Sequence, residues 1–267
     1  MAVNGAVRAT GSDIPAPQAA FLRFAIGVLL LIPLLPSLVR MRFPAGVWRL
    51  FALRGAVHCG AVIGWFYAMA HITVAEVSAL NYLNPILVTL GGALVFGERL
   101  SWRRILAVLI AMVGTLIVLR PGLRAVEPGH LSQIAAACLF AASYLIASRL
   151  SRAVPATAVV ALLSVTVAIG LAPLALALWQ PVSLVQLALL ALTAAFGTGA
   201  HYCMTRAFDC APLTVTQPVT FLQLVWGILL GWLVFGEPVD PFVVLGGSMI
   251  IAAIAWLMWR DARQART

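Results

Sequence analysis

The sequence predicts an all-α integral membrane protein built as two inverted repeats of five transmembrane helices. Three observations lead there. The 267 residues are 63% hydrophobic and 9% charged, with mean hydropathy +1.05; a soluble domain of this size needs a polar surface that such a chain lacks. Apolar runs of bilayer-crossing length, about 20 residues each, follow one another from end to end. The segment LVFGE also occurs twice, at Leu94–Glu98 and Leu233–Glu237, closing a long apolar run each time. A shift of 139 residues superposes the copies, placing Ala68 on Ala207 and Ser101 on Asp240. A repeat this long in so apolar a chain is a signature of membrane transporters.

The spans are expected at about Gln18–Val39, Leu50–Ala70, Val74–Phe96 and Ile105–Leu119, then at Leu131–Leu150, Ala156–Leu178, Leu184–Phe208, Leu213–Phe235 and Phe242–Trp259. Each must be helical, because an unpaired backbone group is too costly in lipid. A linker with Pro121, Gly122, Pro128 and Gly129 divides them four and five, giving a first repeat at 1–122, a second at 131–259 and a tail at 260–267. Pro15 falls on Pro155 under nearly the same shift, so residues 1–10 match Ala141–Leu150, the end of a span. The chain is therefore expected to begin inside a first helix, through a start codon assigned too late or a variant lacking half a span. With that helix counted, each repeat has five spans. Tandem copies of an odd number of spans insert with opposite orientation, which puts a substrate site between them at the midplane.

All 17 basic residues are arginine, and the formal net charge is +9. They punctuate apolar runs instead of forming a basic face, so nucleic acid is not expected as a partner. One set of loops carries Arg40, Arg42, Arg49, Arg99, Arg103, Arg104, Arg149, Arg152, Arg206 and the tail arginines; the other carries only Arg8, Arg120 and Arg124. The arginine-rich side is expected to be cytoplasmic, with the C-terminus. Arg23 and Arg54 lie one to two turns inside their spans, where snorkelling to the interface is the expected behaviour; attracting anionic substrates is a minor alternative.

Polar residues within spans are the candidate site, since they are expensive there unless they face a cavity or another helix. The shift places Asn81 on Thr220 and Asn84 on Gln223; each pair is three residues apart and shares a helix face, with Thr216 one turn along. A lone amide reads as glue between helices, but two matched pairs at mid-span favour the lining of a cavity. Pro85 and Pro218 interrupt these helices as a moving gate or a static kink. Tyr144, His201 and Tyr202 supply rings and hydrogen-bonding groups for the wall, and Trp65, Phe66 and Tyr67 serve as wall or interfacial belt. Glu98 and Glu237 end their spans, and Ser101 and Asp240 are suited to cap the next helices, with Pro241 at the first position after Asp240; these four are read as structural turns. The four cysteines have no metal-ligand or CxxC spacing, so no metal or cofactor is expected. No enzyme motif is present, and no carboxylate lies mid-span, which leaves Glu76 as a weak candidate for proton coupling.

The run FYAMAHITVAEVSALNYLNPILVTLGGALVFGERLSWRRILAVLIAMVGTLIVLRPG (Phe66–Gly122) resembles the EamA-type repeat of the drug/metabolite transporter superfamily, and HYCMTRAFDCAPLTVTQPVTFLQLVWGILLGWLVFGEPVDPFVVLGGSMIIAAI repeats the pattern. IPAPQAAFLRFAIGVLLLIPLL resembles the family's end of span one and span two, with Arg23 on its common arginine. The resemblance implies ten helices, both termini cytoplasmic, and export of small metabolites such as amino acids or drugs across the bacterial inner membrane. It also implies a cavity lined by the helices that hold Trp65–Tyr67, Asn81–Pro85, His201–Tyr202 and Thr216–Gln223. The partners expected are a small-molecule substrate and the lipid bilayer, and a homodimer is compatible with the sequence. The alternative is a non-transporting receptor or assembly subunit whose polar residues only pack helices.

Overall fold

The computed structural model describes residues 1–34, 40–84, 86–88, 91, 102–120, 125–151, 153–210 and 222–264. Ten helices occur among them: α1 (Ala2–Thr10), α2 (Ala16–Leu30), α3 (Ala45–His71), α4 (Val74–Asn81), α5 (Trp102–Leu119), α6 (Pro128–Ser151), α7 (Ala156–Ala177), α8 (Leu184–Cys210), α9 (Leu222–Phe235) and α10 (Pro241–Gln264). Helical backbone recurs after α4 in the described part of 83–91. The described residues contain no strand. Of these helices, α3, α6, α7 and α8 are long and apolar enough to cross a membrane.

Local chemistry sets several boundaries. Thr73 and Glu76 form a reciprocal capping box at the start of α4: the Glu76 N–H donates to Thr73 Oγ1 at 3.2 Å, and the Thr73 N–H donates to Glu76 Oε2 at 2.9 Å. This satisfies donors that a helix start otherwise leaves unpaired. Asp240 Oδ1 accepts from the Phe242 N–H at 2.9 Å at the start of α10, with Pro241 in the first turn. Gly236 leaves α9 at φ +64°, a left-handed conformation that favours glycine.

The burial pattern is that of a protein dissolved in lipid. Leu184, Val185, Ile169 and Leu233 are two-thirds or more exposed, whereas Gln18, His58, Gln133 and Ser143 are completely buried. Water would reward the reverse arrangement; hydrocarbon rewards this one.

Helix packing follows a rule. The main partners are α3 with α6, α1 with α8, α5 with α10, α2 with α7, and α4 with α9; α2 also meets α8, and α3 meets α7. If α1–α5 are exchanged in order for α6–α10, each of these contacts maps either onto itself or onto another in the set. Small residues allow the closest approach. A Cβ on Gly114 of α5 would lie 2.7 Å from the Gly246 carbonyl oxygen of α10, and one on Gly246 would strike the Gly114 carbonyl oxygen. Ala107 and Ala253, their counterparts under the 139-residue shift, pack in one apolar cluster. Backbones that approach this closely gain dispersion contacts where lipid offers no hydrophobic drive.

Candidate functional site

Three helices place a polar or small residue at their midpoints, and the three meet. Arg23 lies half-way along α2, His58 half-way along α3 and Gly197 half-way along α8. They line a cavity of about 510 Å³, within the size range of small-molecule sites. Asn4, Asn81, Tyr144, His201 and Gln223 join them on its wall, together with Phe24, Trp65, Phe66, Phe140, Met204 and Trp226. Both halves of the chain therefore contribute to one lining that is mainly aromatic and apolar, with a few polar groups.

The candidate residues divide accordingly. Asn81, Tyr144, His201 and Gln223 face this cavity. Asn84 is buried but is not on its wall, and Tyr202, one residue from His201, is 42% exposed. The 100° step between adjacent helical residues explains that separation. Thr216, Thr220, Pro85, Pro218, Glu98 and Ser101 lie outside the described residues. Trp65 and Phe66 border the cavity, whereas Tyr67 borders a second space of about 390 Å³ near the α3–α4 turn and stacks on His71 at 4.0 Å. Phe66 is common to both linings.

The snorkelling expected of the two arginines does not occur. Arg23 is 6% exposed and Arg54 1%, because their helices are surrounded by neighbours instead of by lipid at those positions. Arg54 Nη1 donates to the Val159 carbonyl at 3.1 Å, and its Nε has no partner. Arg23 reaches across α8 where Gly197 leaves room: a Cβ there would lie 3.2 Å from the guanidinium carbon. Its Cζ sits 3.7 Å from the centroid of Phe24. Tyr144 and His201 are within electrostatic reach of both guanidinium groups. His58 was not singled out from the sequence, although a histidine within an apolar run carries the same signal as the amides. Its Nδ1 and the Ser143 hydroxyl share a hydrogen bond of 3.0 Å, its Nε2 has no partner, and its ring lies 5.6 Å from that of His201.

A second set of polar residues ties the halves together away from the cavity. Arg8 Nη2 pairs with Glu237 Oε1 at 3.0 Å, and Glu237 Oε2 accepts from the Val74 N–H at 2.9 Å. Arg8 Nη1 donates to the Met69 carbonyl at 2.8 Å. Arg120 pairs with Asp240. Gln18 and Gln180 exchange two hydrogen bonds of 2.8 Å. His130 Nδ1 accepts from the Glu127 N–H at 3.1 Å, so the other ring nitrogen faces Glu76 Oε1 at 3.3 Å as the donor. The Tyr82 hydroxyl accepts from the Leu224 N–H at 2.6 Å in the first turn of α9. Glu237 and Asp240 thus bridge the two halves as well as bounding helices.

Known proteins provide the comparison. The chain is 28% identical over 278 residues to a riboflavin transporter of Brucella anthropi, covering 100% of this chain and 96% of that protein. It is 27% identical over 256 residues to the pseudopaline exporter CntI of Pseudomonas aeruginosa, covering 94% and 89%. It is 21% identical over 253 residues to an S-adenosylmethionine uptake transporter of Rickettsia prowazekii, covering 95% and 86%. A solved crystal structure shares the fold with TM-score 0.66 at 21% identity, covering 98% of this chain and 96% of that one. These relatives are named as transporters, not enzymes. The EamA-like transporter family matches residues 4–120 and 127–259. Polar side chains gathered inside an apolar helical body suit that assignment, and the chain belongs to the EamA-like transporter family.

Proposed function

We propose that this multi-pass membrane protein carries a small metabolite across the bacterial inner membrane by alternating access, with the substrate held in the central cavity between two inverted five-helix repeats. The observation that carries the reading is the cavity itself: it lies half-way along α2, α3 and α8 and takes its wall from residues of both halves. The exchange symmetry of the helix contacts supports repeats at 1–122 and 131–259. The arginine-poor side, which holds Arg8 and Arg120, is the outer one, and the tail from 260 is cytoplasmic. Four of the ties between the halves, Arg8–Glu237, Arg120–Asp240, Gln18–Gln180 and Glu76–His130, then hold the outer face closed. Phe66 is the partition between the central cavity and the outer space. Asn81 and Gln223 read polar groups of the substrate, and the aromatic wall packs on its body.

The test is untargeted mass spectrometry of spent medium and cell extract from cells overexpressing the chain, followed by flux of the enriched compound in proteoliposomes. Enrichment outside means export and enrichment inside means uptake; relatives bear names of both kinds. Gln223→Leu should lower flux about tenfold or more with membrane expression intact, because a buried substrate group then loses its partner. Normal flux in Gln223→Leu would remove that residue from the site, and no moving compound in any strain would favour a receptor or assembly role. Phe66→Ala should join the two spaces and let solute leak down its gradient, read as faster passive efflux from loaded vesicles. Vesicles as tight as those with the unaltered protein would show that the partition lies elsewhere.

A further inference from the structure

We infer that the central cavity selects a small organic anion, a carboxylate seated against Arg23 with an aromatic body packed on the rings of the wall. This rests on the transporter reading and adds a substrate class to it. Arg23 and Arg54 lie within their helices and are buried, 6% and 1% exposed. Among the described residues neither has a carboxylate partner, and three of the acids there are engaged elsewhere: Glu237 with Arg8, Asp240 with Arg120 and Glu76 with His130. A charge taken out of water costs several kcal/mol when nothing compensates it, by the general estimate of about that size for buried ions. Arg23 lines the cavity directly; Arg54 is not on its wall and keeps an unpartnered Nε.

The neighbouring groups suit an anion. Tyr144, His58 and His201 bring hydroxyl and ring nitrogen atoms to the same cavity wall, the two histidine rings 5.6 Å apart, and His58 Nε2 is unpartnered. An arginine fork matches a carboxylate with two parallel hydrogen bonds, which a neutral amide cannot accept with equal strength. Two fixed positive charges with no acid between them also repel an amine. Phe24, Phe140 and Trp226 leave an apolar aromatic surface for the rest of the molecule.

The experiment uses the purified full chain in detergent micelles and two charge-matched series: indole-3-acetate, indole-3-acetamide and tryptamine, and phenylacetate, phenylacetamide and phenethylamine. Melting temperature is read against ligand concentration. The two anions are expected to stabilise the protein at concentrations at least tenfold below those at which the amides or amines act. Arg23→Gln should weaken anion binding about tenfold or more, and Arg23→Lys should retain part of it. A purely structural Arg23 would leave the charge preference unchanged in both variants. Amines binding as well as anions, no binding by either anion, or unchanged anion affinity in Arg23→Gln would overturn the assignment. The preference order of the unaltered protein decides the matter even where Arg23→Gln does not fold. Flux of labelled indole-3-acetate in proteoliposomes separates the two readings. Anion binding without flux overturns transport and upholds the anion site, whereas flux of an amine or amide without anion binding overturns the anion site and upholds transport.

Discussion

Glu237→Ala is expected to lower the melting temperature by about 4–10 °C, the general scale for a loss of about 2–3 kcal/mol in a chain of this size. Glu237 is 8% exposed and serves two partners at once: the Arg8 guanidinium at 3.0 Å and the Val74 N–H at 2.9 Å. Removing the carboxylate strands a cation and the first N–H of α4. Breaking a fully buried pair costs about 3–5 kcal/mol, and the side chain of Arg8, 24% exposed, is partly rescued by solvent, hence the lower figure. The same change frees one tie between the halves, so under the proposed alternating-access cycle the outer-open state should gain population and substrate retention should fall. Exchanging the partners, Arg8→Glu with Glu237→Arg, should recover part of the stability, and a double-mutant cycle measures how much. Additive effects of the single changes would show that the pair does not couple the halves.

Gly246→Ala and Gly199→Ala should differ in outcome although the substitution is the same. A Cβ at Gly246 meets the Gly114 carbonyl oxygen and would lie 2.8 Å from Val118 Cγ2. A backbone carbonyl cannot rotate away, so α5 and α10 must separate and lose contacts along their length. Overpacking costs about 1–3 kcal/mol in general, and a contact with backbone belongs at the upper end. At Gly199 nothing lies within 4 Å, and alanine there gains helix propensity of up to about 1 kcal/mol. Thermal unfolding of the two variants in the same detergent measures the contrast. Equal melting temperatures would mean that the α5–α10 seam is looser than its geometry shows.

Hydropathy and the 139-residue shift were enough to read most of the architecture. Each apolar run fell within a few residues of a helix wherever the chain is described, because in lipid the backbone has little choice but to pair within its own segment. The shift paired Asn81 with Thr220 and Asn84 with Gln223, and the cavity wall takes one residue from each pair, Asn81 and Gln223. Tyr202 and Asn84 show where that reasoning stops. Sequence placed Tyr202 beside His201 and Asn84 on the Asn81 face, but which part of a helix faces a cavity depends on the neighbours packed around it. Arg54 is the clearest case, since its position near a span end suggested a snorkelling side chain, and the packing of α3 against α6 and α7 buried it instead.

The sequence by itself determined that the chain is helical, membrane-embedded and internally repeated, because composition, span length and repetition are properties of the string and hydrocarbon tolerates few other solutions. Only the tertiary structure decided which polar groups meet. It brought Arg23, His58, Tyr144 and His201 from four helices to one cavity, and it set Arg8 against Glu237, 229 positions apart in the chain. Such meetings follow from helix rotation and crossing, which small residues like Gly114, Gly197 and Gly246 permit by close approach. Periodicity along a single helix carries no record of its neighbours.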